Sequence, residues 1–222
     1  MPVPPIVQKA AERGWSVIPV RAAERPAIPS WKPYQSERPK LEQLAAWSER
    51  PGITGWAVIT GKISNLVILD FDGEQGKKLL RDLKLRAHLT TGSGGAHVYF
   101  KHPGWTVPTL NSKSSGEMKK RWPGLDIRAD GGYAVFWGNN RSGRYRWLRK
   151  AELEPLDAIP ADLRHFLNLM HAPAASTNGA GPAAPGADVD VAGRLLDKAI
   201  AKAKIEGRNN AGFWYACQLR DN

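Results

Sequence analysis

Cysteine is nearly absent. Cys217 is the only one in 222 residues, which excludes an internal disulfide and any multi-cysteine zinc site. Long apolar runs are missing too. No stretch approaches 18 apolar residues, so no transmembrane helix is expected. The N-terminal MPVPPIVQKAAERGW lacks the apolar core of a signal peptide, so a soluble intracellular protein is expected. Acidic residues are in deficit: 21 Asp and Glu stand against 32 Lys and Arg, giving a formal charge of +11 and a pI near 9.9. An excess of that size points to a polyanionic partner, nucleic acid first and an anionic membrane second. What is present suffices for a globular protein. Apolar residues make up 42% of the chain and charged residues 24%, which excludes a wholly disordered chain and allows one ordinary domain plus a smaller piece. Nine tryptophans can fill a core or stack on bases.

Periodicity and turn residues predict a helix over 4–14, a strand over 15–20 and a proline-rich loop, then a helix over 40–50 closed by Pro51-Gly52. GWAVITG (55–61) and NLVILDFD (65–72) read as strands joined by a tight turn, followed by a helix with Leu79, Leu80 and Leu83 on one face. LTTGSGGAHVYFKH (89–102) reads as strand, glycine loop and strand. Residues 103–123 are basic and patternless, predicting a mobile loop. GLDIRADGGYAVFWG (124–138) predicts two strands about a Gly-Gly turn, with RYRWL (144–148) completing a hairpin. One or two short helices close the domain. The Ala, Pro, Gly and Ser-rich stretch after it cannot bury enough surface to offset its ordering entropy, so 171–190 reads as a linker. Residues 191–222 read as the start of a helical segment that stops inside its own pattern, as if cut from a larger protein.

Three elements carry chemistry. In VILDFDGEQG (67–76), Asp70 and Asp72 lie two apart on a strand and point the same way. Alone, such a pair can be a solvated strand end or a cap on the next turn. Two close carboxylates also repel, which raises one pKa unless a cation sits between them; Mg²⁺ or Mn²⁺ suits oxygen ligands completed by water and phosphate. In TGSGGAHVYF, the loop Thr91, Gly92, Ser93, Gly94 and Gly95 lets backbone amides approach an anion, and His97 follows on the strand. In LDIRADGGY, Asp126 and Arg128 share a strand face, while Asp130 falls in the turn. That pair is either a surface ion pair of little energetic weight or a third carboxylate with a guanidinium for a triphosphate.

The order of these elements resembles the archaeo-eukaryotic primase superfamily, in particular the bifunctional primase-polymerase domains of plasmids, phages and other mobile elements. That family's h-D-h-D/E, s-x-H and h-D motifs fall on LDFD, GAH and LD. GWSVIPV, SWKPYQ, LAAWSE, GWAVITG and DGGYAVFWG also look like it, and the resemblance covers roughly residues 5–168. There are two departures. The serine of s-x-H is Gly95 here, leaving Ser93 or a backbone amide as the donor. The lysine that many relatives carry before Arg-Pro is missing from Ala23-Glu24-Arg25-Pro26, which would move a basic contact to Arg25.

The resemblance implies an α+β fold: an RRM-like catalytic sheet merged with a smaller N-terminal α/β unit over residues 1–170, then linker and helical tail. It implies a template-dependent nucleotidyltransferase that makes and extends primers on single-stranded DNA from NTPs or dNTPs, for replication of a plasmid, phage or mobile element in the cytoplasm of a prokaryotic host. Asp70, Asp72 and Asp126 would hold two Mg²⁺ or Mn²⁺ ions, and no zinc is expected. His97, Ser93, Gly94, Gly95 and Arg128 would bind the nucleotide. The basic residues Lys101, Lys113, Lys119, Lys120 and Arg121 could hold template phosphates, against an equal case for a solvated surface. A helicase domain of a longer protein would be a partner; a membrane would not. Two alternatives stay open. A D-x-D glycosyltransferase would use the paired carboxylates and a glycine loop, but not the charge, His97 or Asp126. A non-catalytic single-strand-binding domain would use the charge and the tryptophans, but has no use for three carboxylates.

Overall fold

The computed structural model describes residues 2–113, 115–150 and 152–171; the linker and helical tail expected from the sequence lie outside them. The chain divides after Arg164, and the first unit is a mixed α+β domain with mainly antiparallel sheets. Helix α1 (Pro5–Glu12) starts with proline at its first position, where the missing N–H costs nothing. Strand β1 (Ser16–Val20), helix α2 (Leu41–Ser48) and strand β2 (Gly55–Ile59) follow. Strand β3 (Leu66–Phe71) runs into helix α3 (Gly73–Asp82), and β4 (Leu89–Thr90) into β5 (Ala96–Lys101). Helix α4 (Gly116–Arg121), strands β6 (Leu125–Arg128), β7 (Tyr133–Gly138), β8 (Arg146–Trp147) and β9 (Glu154–Pro155), and helix α5 (Ala161–His171) complete the order.

The strands form two sheets. One has the order β1-β2-β7; the other runs β6-β3-β5-β4-β8, with β9 parallel to β5. The expected turns form, but the strands they join diverge. The tight turn at 62–64 forms and closes with an antiparallel bridge between Gly61 and Leu66, but β2 and β3 then enter different sheets. Likewise β6 and β7 separate after the Gly-Gly turn, and the expected 144–148 hairpin forms only next to its turn, where Asn139 bridges Arg144 and the Tyr145 amide donates to the Gly138 carbonyl, before β8 pairs with β4. Local turn residues signal reversal of the chain but do not choose the partner strand.

The region 103–123 is also more ordered than its composition suggests. Ser115 caps α4, its side chain accepting from the Met118 amide. Met118 and Trp122, one turn apart, are both buried, so a short amphipathic pattern lies hidden among the lysines.

Phase along β3 sets up everything that follows. Leu66 and Ile68 belong to an apolar core shared with Val17, Ile18, Val58 and Phe136 of the three-stranded sheet. An aromatic cluster ties the two sheets together: Trp15 stacks on Tyr99 at 5.9 Å and meets Phe136 edge-on at 5.7 Å. On the opposite face, α3 packs against β3. Asp70 is next in the phase of Leu66 and Ile68. It therefore emerges where that shared core ends.

Candidate active site

Strand pairing, not local sequence, assembles the site. Asp70 on the central strand β3 is directly opposite His97 of β5 on one side and Asp126 of β6 on the other. Directly opposed residues on adjacent strands have neighbouring side chains, so three residues far apart in sequence form one row. Asp72 adds a carboxylate from the strand end. Oxygens of Asp70, Asp72 and Asp126 all lie within 4.8 Å of one another. Asp72 occupies the N-cap position of α3 yet makes no capping hydrogen bond, so it is not consumed as a helix cap.

The three carboxylates differ in their support. Asp126 is held firmly: its Oδ1 accepts from the Ser112 amide (2.8 Å) and hydroxyl (2.9 Å), and its Oδ2 from Asn111 (2.9 Å) and Arg128 (2.8 Å). Asp70 takes Arg128 at 3.4 Å on Oδ2. His97 Nε2 lies 3.2 Å from its Oδ1, at ion-pair distance but out of hydrogen-bond alignment, so this buried oxygen has no hydrogen-bond donor. Burial pushes the Asp70 carboxyl up, but the His97 and Arg128 charges outweigh it and hold the group below the usual range.

Asp72 goes the other way. Desolvation on its sheet-facing side, then the charges of Asp70 and Asp126, push it up to about 6. Because much of Asp72 is open to the cleft, the like charges are the sturdier cause. A buried oxygen lacking a donor and a carboxylate raised by its neighbours are features a cation would satisfy, and an all-oxygen set suits a hard divalent ion. The site fits a metal.

Asp70, Asp72 and His97 line a cleft of about 590 Å³. Ser93 and Thr91 line it beside Asp72, and Arg128 and Lys113 supply cations. Trp31, Tyr133 and Tyr145 form the aromatic part of its wall. Trp31 meets Tyr133 edge-on at 5.3 Å.

The glycine loop is used differently from the sequence reading. The Gly94 amide donates to the Thr91 carbonyl (3.0 Å) and the Gly95 amide to the Thr91 hydroxyl (3.0 Å), so neither is available to an anion. A Cβ on Gly95 would lie 2.5 Å from the Phe71 carbonyl oxygen, which explains why serine is replaced there. Ser93, 3.1 Å from the Thr91 hydroxyl, is the side chain left facing the cleft.

Other candidates are placed apart. Lys119, Lys120 and Arg121 lie on α4, and Lys101 at the exposed end of β5; none of them lines the cleft. Arg25 is exposed and does not line it either; its neighbour Glu24 does. Glu24 has a left-handed backbone (φ 62°) and accepts from Asn140 (2.9 Å) and the Tyr145 hydroxyl. Burial, then the Glu24 contact, raises the Tyr145 pKa. Glu24, Tyr145, Asn111 and Ser112 escaped the sequence reading. The one signal for Glu24 was its place in an otherwise familiar Arg-Pro phrase.

A family model for the N-terminal domain of bifunctional DNA primase/polymerases, Prim-Pol, matches residues 7–162. The chain belongs to that family. The match spans every residue of the cleft just described. A search of curated proteins returned no match. Among the described residues no helix is long and apolar enough to cross a membrane. The primase/polymerase class implies DNA and nucleotides as substrates and metal dependence, and the Asp70, Asp72 and Asp126 cluster could bind the metal.

Proposed function

We propose that this Prim-Pol domain is a template-dependent nucleotidyltransferase that makes and extends primers on single-stranded DNA. The observation that carries this reading is the cluster of three carboxylates within 4.8 Å of one another, two of which, Asp70 and Asp72, line a cleft of about 590 Å³. In this reading Asp70, Asp72 and Asp126 hold two divalent ions, Mg²⁺ or Mn²⁺. Such ions neutralise triphosphate charge and acidify the attacking 3′-hydroxyl.

The chain's own side chains then orient the nucleotide. Arg128, anchored on Asp126, faces charge that develops on the leaving pyrophosphate. Ser93, Thr91 and Lys113 approach phosphate oxygens, and His97, whose Nε2 now faces Asp70, donates to another. Trp31 and Tyr133 offer aromatic surface to a base. Asn111 and Ser112 fix the rotamer of Asp126, so that the carboxylate is in place before substrate arrives.

The RRM-like description of the catalytic sheet is supported by its connectivity: β3-α3-β4-β5-α4-β6, a βαββαβ order, with strand order β6-β3-β5-β4. A role in replicating a plasmid, phage or mobile element, with a helicase domain farther along a longer protein, belongs to the same reading, as does the linker followed by a helical segment.

The test is primer synthesis on single-stranded DNA with labelled NTPs and dNTPs, with and without Mn²⁺. Template- and metal-dependent products are expected. Consumption of a nucleotide sugar without template would favour the glycosyltransferase instead, and full activity in excess EDTA would remove the metal from the mechanism.

A further inference from the structure

The aromatic cluster that touches His97 at one end reaches a second recess at the other. Tyr99 lies 6.0 Å from His97 and 5.0 Å from Trp147, ring centre to ring centre. Beyond Trp147 and Trp15 is a pocket of about 310 Å³, floored by Ile6 and Ala10 of α1, Trp15, Phe136 and Trp147. Leu148, 60% exposed, stands at its edge. Lys9, Arg13, Arg149 and Lys150 surround it, and among the described residues no acidic one lines it. Arg149 is fixed on the carbonyls of Arg86 and Ala87. Among the described residues, Lys9, Arg13 and Lys150 enter no salt bridge.

We propose that this recess docks an acidic peptide segment of a partner protein, with one large apolar side chain seated against Trp15 and Trp147. The floor is aliphatic and aromatic, and the Trp147 indole N–H is already donated to the Phe136 carbonyl (3.0 Å). A nucleobase carries several polar edge atoms, which would lose water there without gaining partners. An apolar side chain loses nothing and covers Leu148 as it enters. The ring of cations complements carboxylates on either side of that anchor and steers them in. The same charges would attract DNA, but the floor selects against a base. The site stands apart from the cleft, so either reading can fail without the other.

The test is fluorescence polarisation with the full 222-residue chain and a labelled acidic nonapeptide bearing a single central Phe. Saturable binding is expected. It should weaken by about tenfold or more when the peptide's Phe becomes Ala, and by a similar factor with Leu148→Asp or with Lys9→Glu combined with Arg13→Glu. All three positions are exposed, so an unchanged melting temperature will show that each variant folds. Primer extension without a partner should not change, because none of the three lines the cleft. No saturable binding, or equal binding of the Phe and Ala peptides, overturns the proposal. So does an oligonucleotide that loses as much affinity as the peptide on Leu148→Asp, which would assign the recess to the template.

Discussion

Among the described residues the domain has two aspartate–histidine pairs, and their carboxylates are supported very differently. At the candidate site His97 Nε2 lies 3.2 Å from Asp70. On the way to β7, His102 Nε2 lies 2.9 Å from Asp130. By residue type and distance the second is the better pair. Its surroundings decide otherwise. Asp130 Oδ2 also accepts from the Val107 amide and Oδ1 from the Lys62 amide, both at 2.9 Å. His102 Nδ1 accepts from the Gly104 amide, and Gly61, with positive φ, leaves no room for a Cβ beside Asp130. Asp130 thereby pins three loops and has no oxygen to spare. Asp70 keeps a buried oxygen without a donor and has two carboxylates for neighbours. A saturated carboxylate holds a fold together, and an unsaturated one among like charges is available to a ligand.

The sharpest break between the pairs is catalytic. Asp70→Ala should reduce nucleotide incorporation by about 10³-fold or more, because several kcal/mol of charge stabilisation disappears with the cation site. Single-strand binding should survive. Asp130→Ala should leave incorporation per folded molecule within a few-fold of wild type. Near-normal extension by the Asp70 variant would sink the assignment.

Stability should reverse the ranking. Asp130→Ala strands the Val107 and Lys62 amides and the His102 ring. It should cost about 1–3 kcal/mol in urea unfolding, toward the low end because the Asp130 side chain is 28% exposed. An Asp130 variant as stable as wild type would show that the loops hold without their pin.

How far the site was legible follows from the same contrast. Period-2 alternation was enough to aim Asp70 with Asp72, and Asp126 with Arg128, because direction along a strand is local. Pairing is not local. Nothing in GLDIRADGGYAVFWG says that its two strands enter different sheets, and no turn residue announces that Asp126 will lie opposite Asp70. The supports were less visible still. Asn111 and Ser112 sit in a stretch that reads as patternless, and Glu24 meets Tyr145 across 121 residues. The glycine loop is legible as a loop, but the partners of its amides are not. Its Gly94 and Gly95 amides close their own turn, and the lack of space for a Gly95 Cβ follows from packing against the Phe71 carbonyl.

A smaller effect probes the like charges directly. The Asp72 carboxyl is raised to about 6, so between pH 4 and 6 the folded state retains a proton that the unfolded chain releases. The metal-free protein should therefore lose stability as pH rises through that window. Asp72→Asn removes the penalty. At pH 7.5 without metal it should raise the melting temperature by about 2–4 °C, the shift expected of ~1 kcal/mol in a unit of this size, once solvent screening at this open position has cut the full effect. Mn²⁺ affinity of the wild type, followed by calorimetry, should fall as pH drops below 6, because protons compete for the same oxygens. An affinity flat from pH 7.5 to 5 would remove Asp72 from the metal set.

The smallest effect separates cations as the first separated acids. Lys113 lines the cleft, whereas Lys119 and Lys120 lie on α4 outside it. Removing a single exposed charge from a phosphate contact costs about 1 kcal/mol or less. Lys113→Ala should thus raise the KM for nucleotide by only about three- to fivefold, with kcat little changed if the contact is equal in ground and transition states. Lys119→Ala with Lys120→Ala should leave that KM alone. If α4 instead follows the template, the double variant should lower the slope of log affinity for single-stranded DNA against log salt by about 0.7 per lost contact. A double variant that moves KM and not the salt slope would place α4 at the nucleotide. One that moves neither makes its lysines a solvated face, and the basic excess of the sequence would then be general attraction.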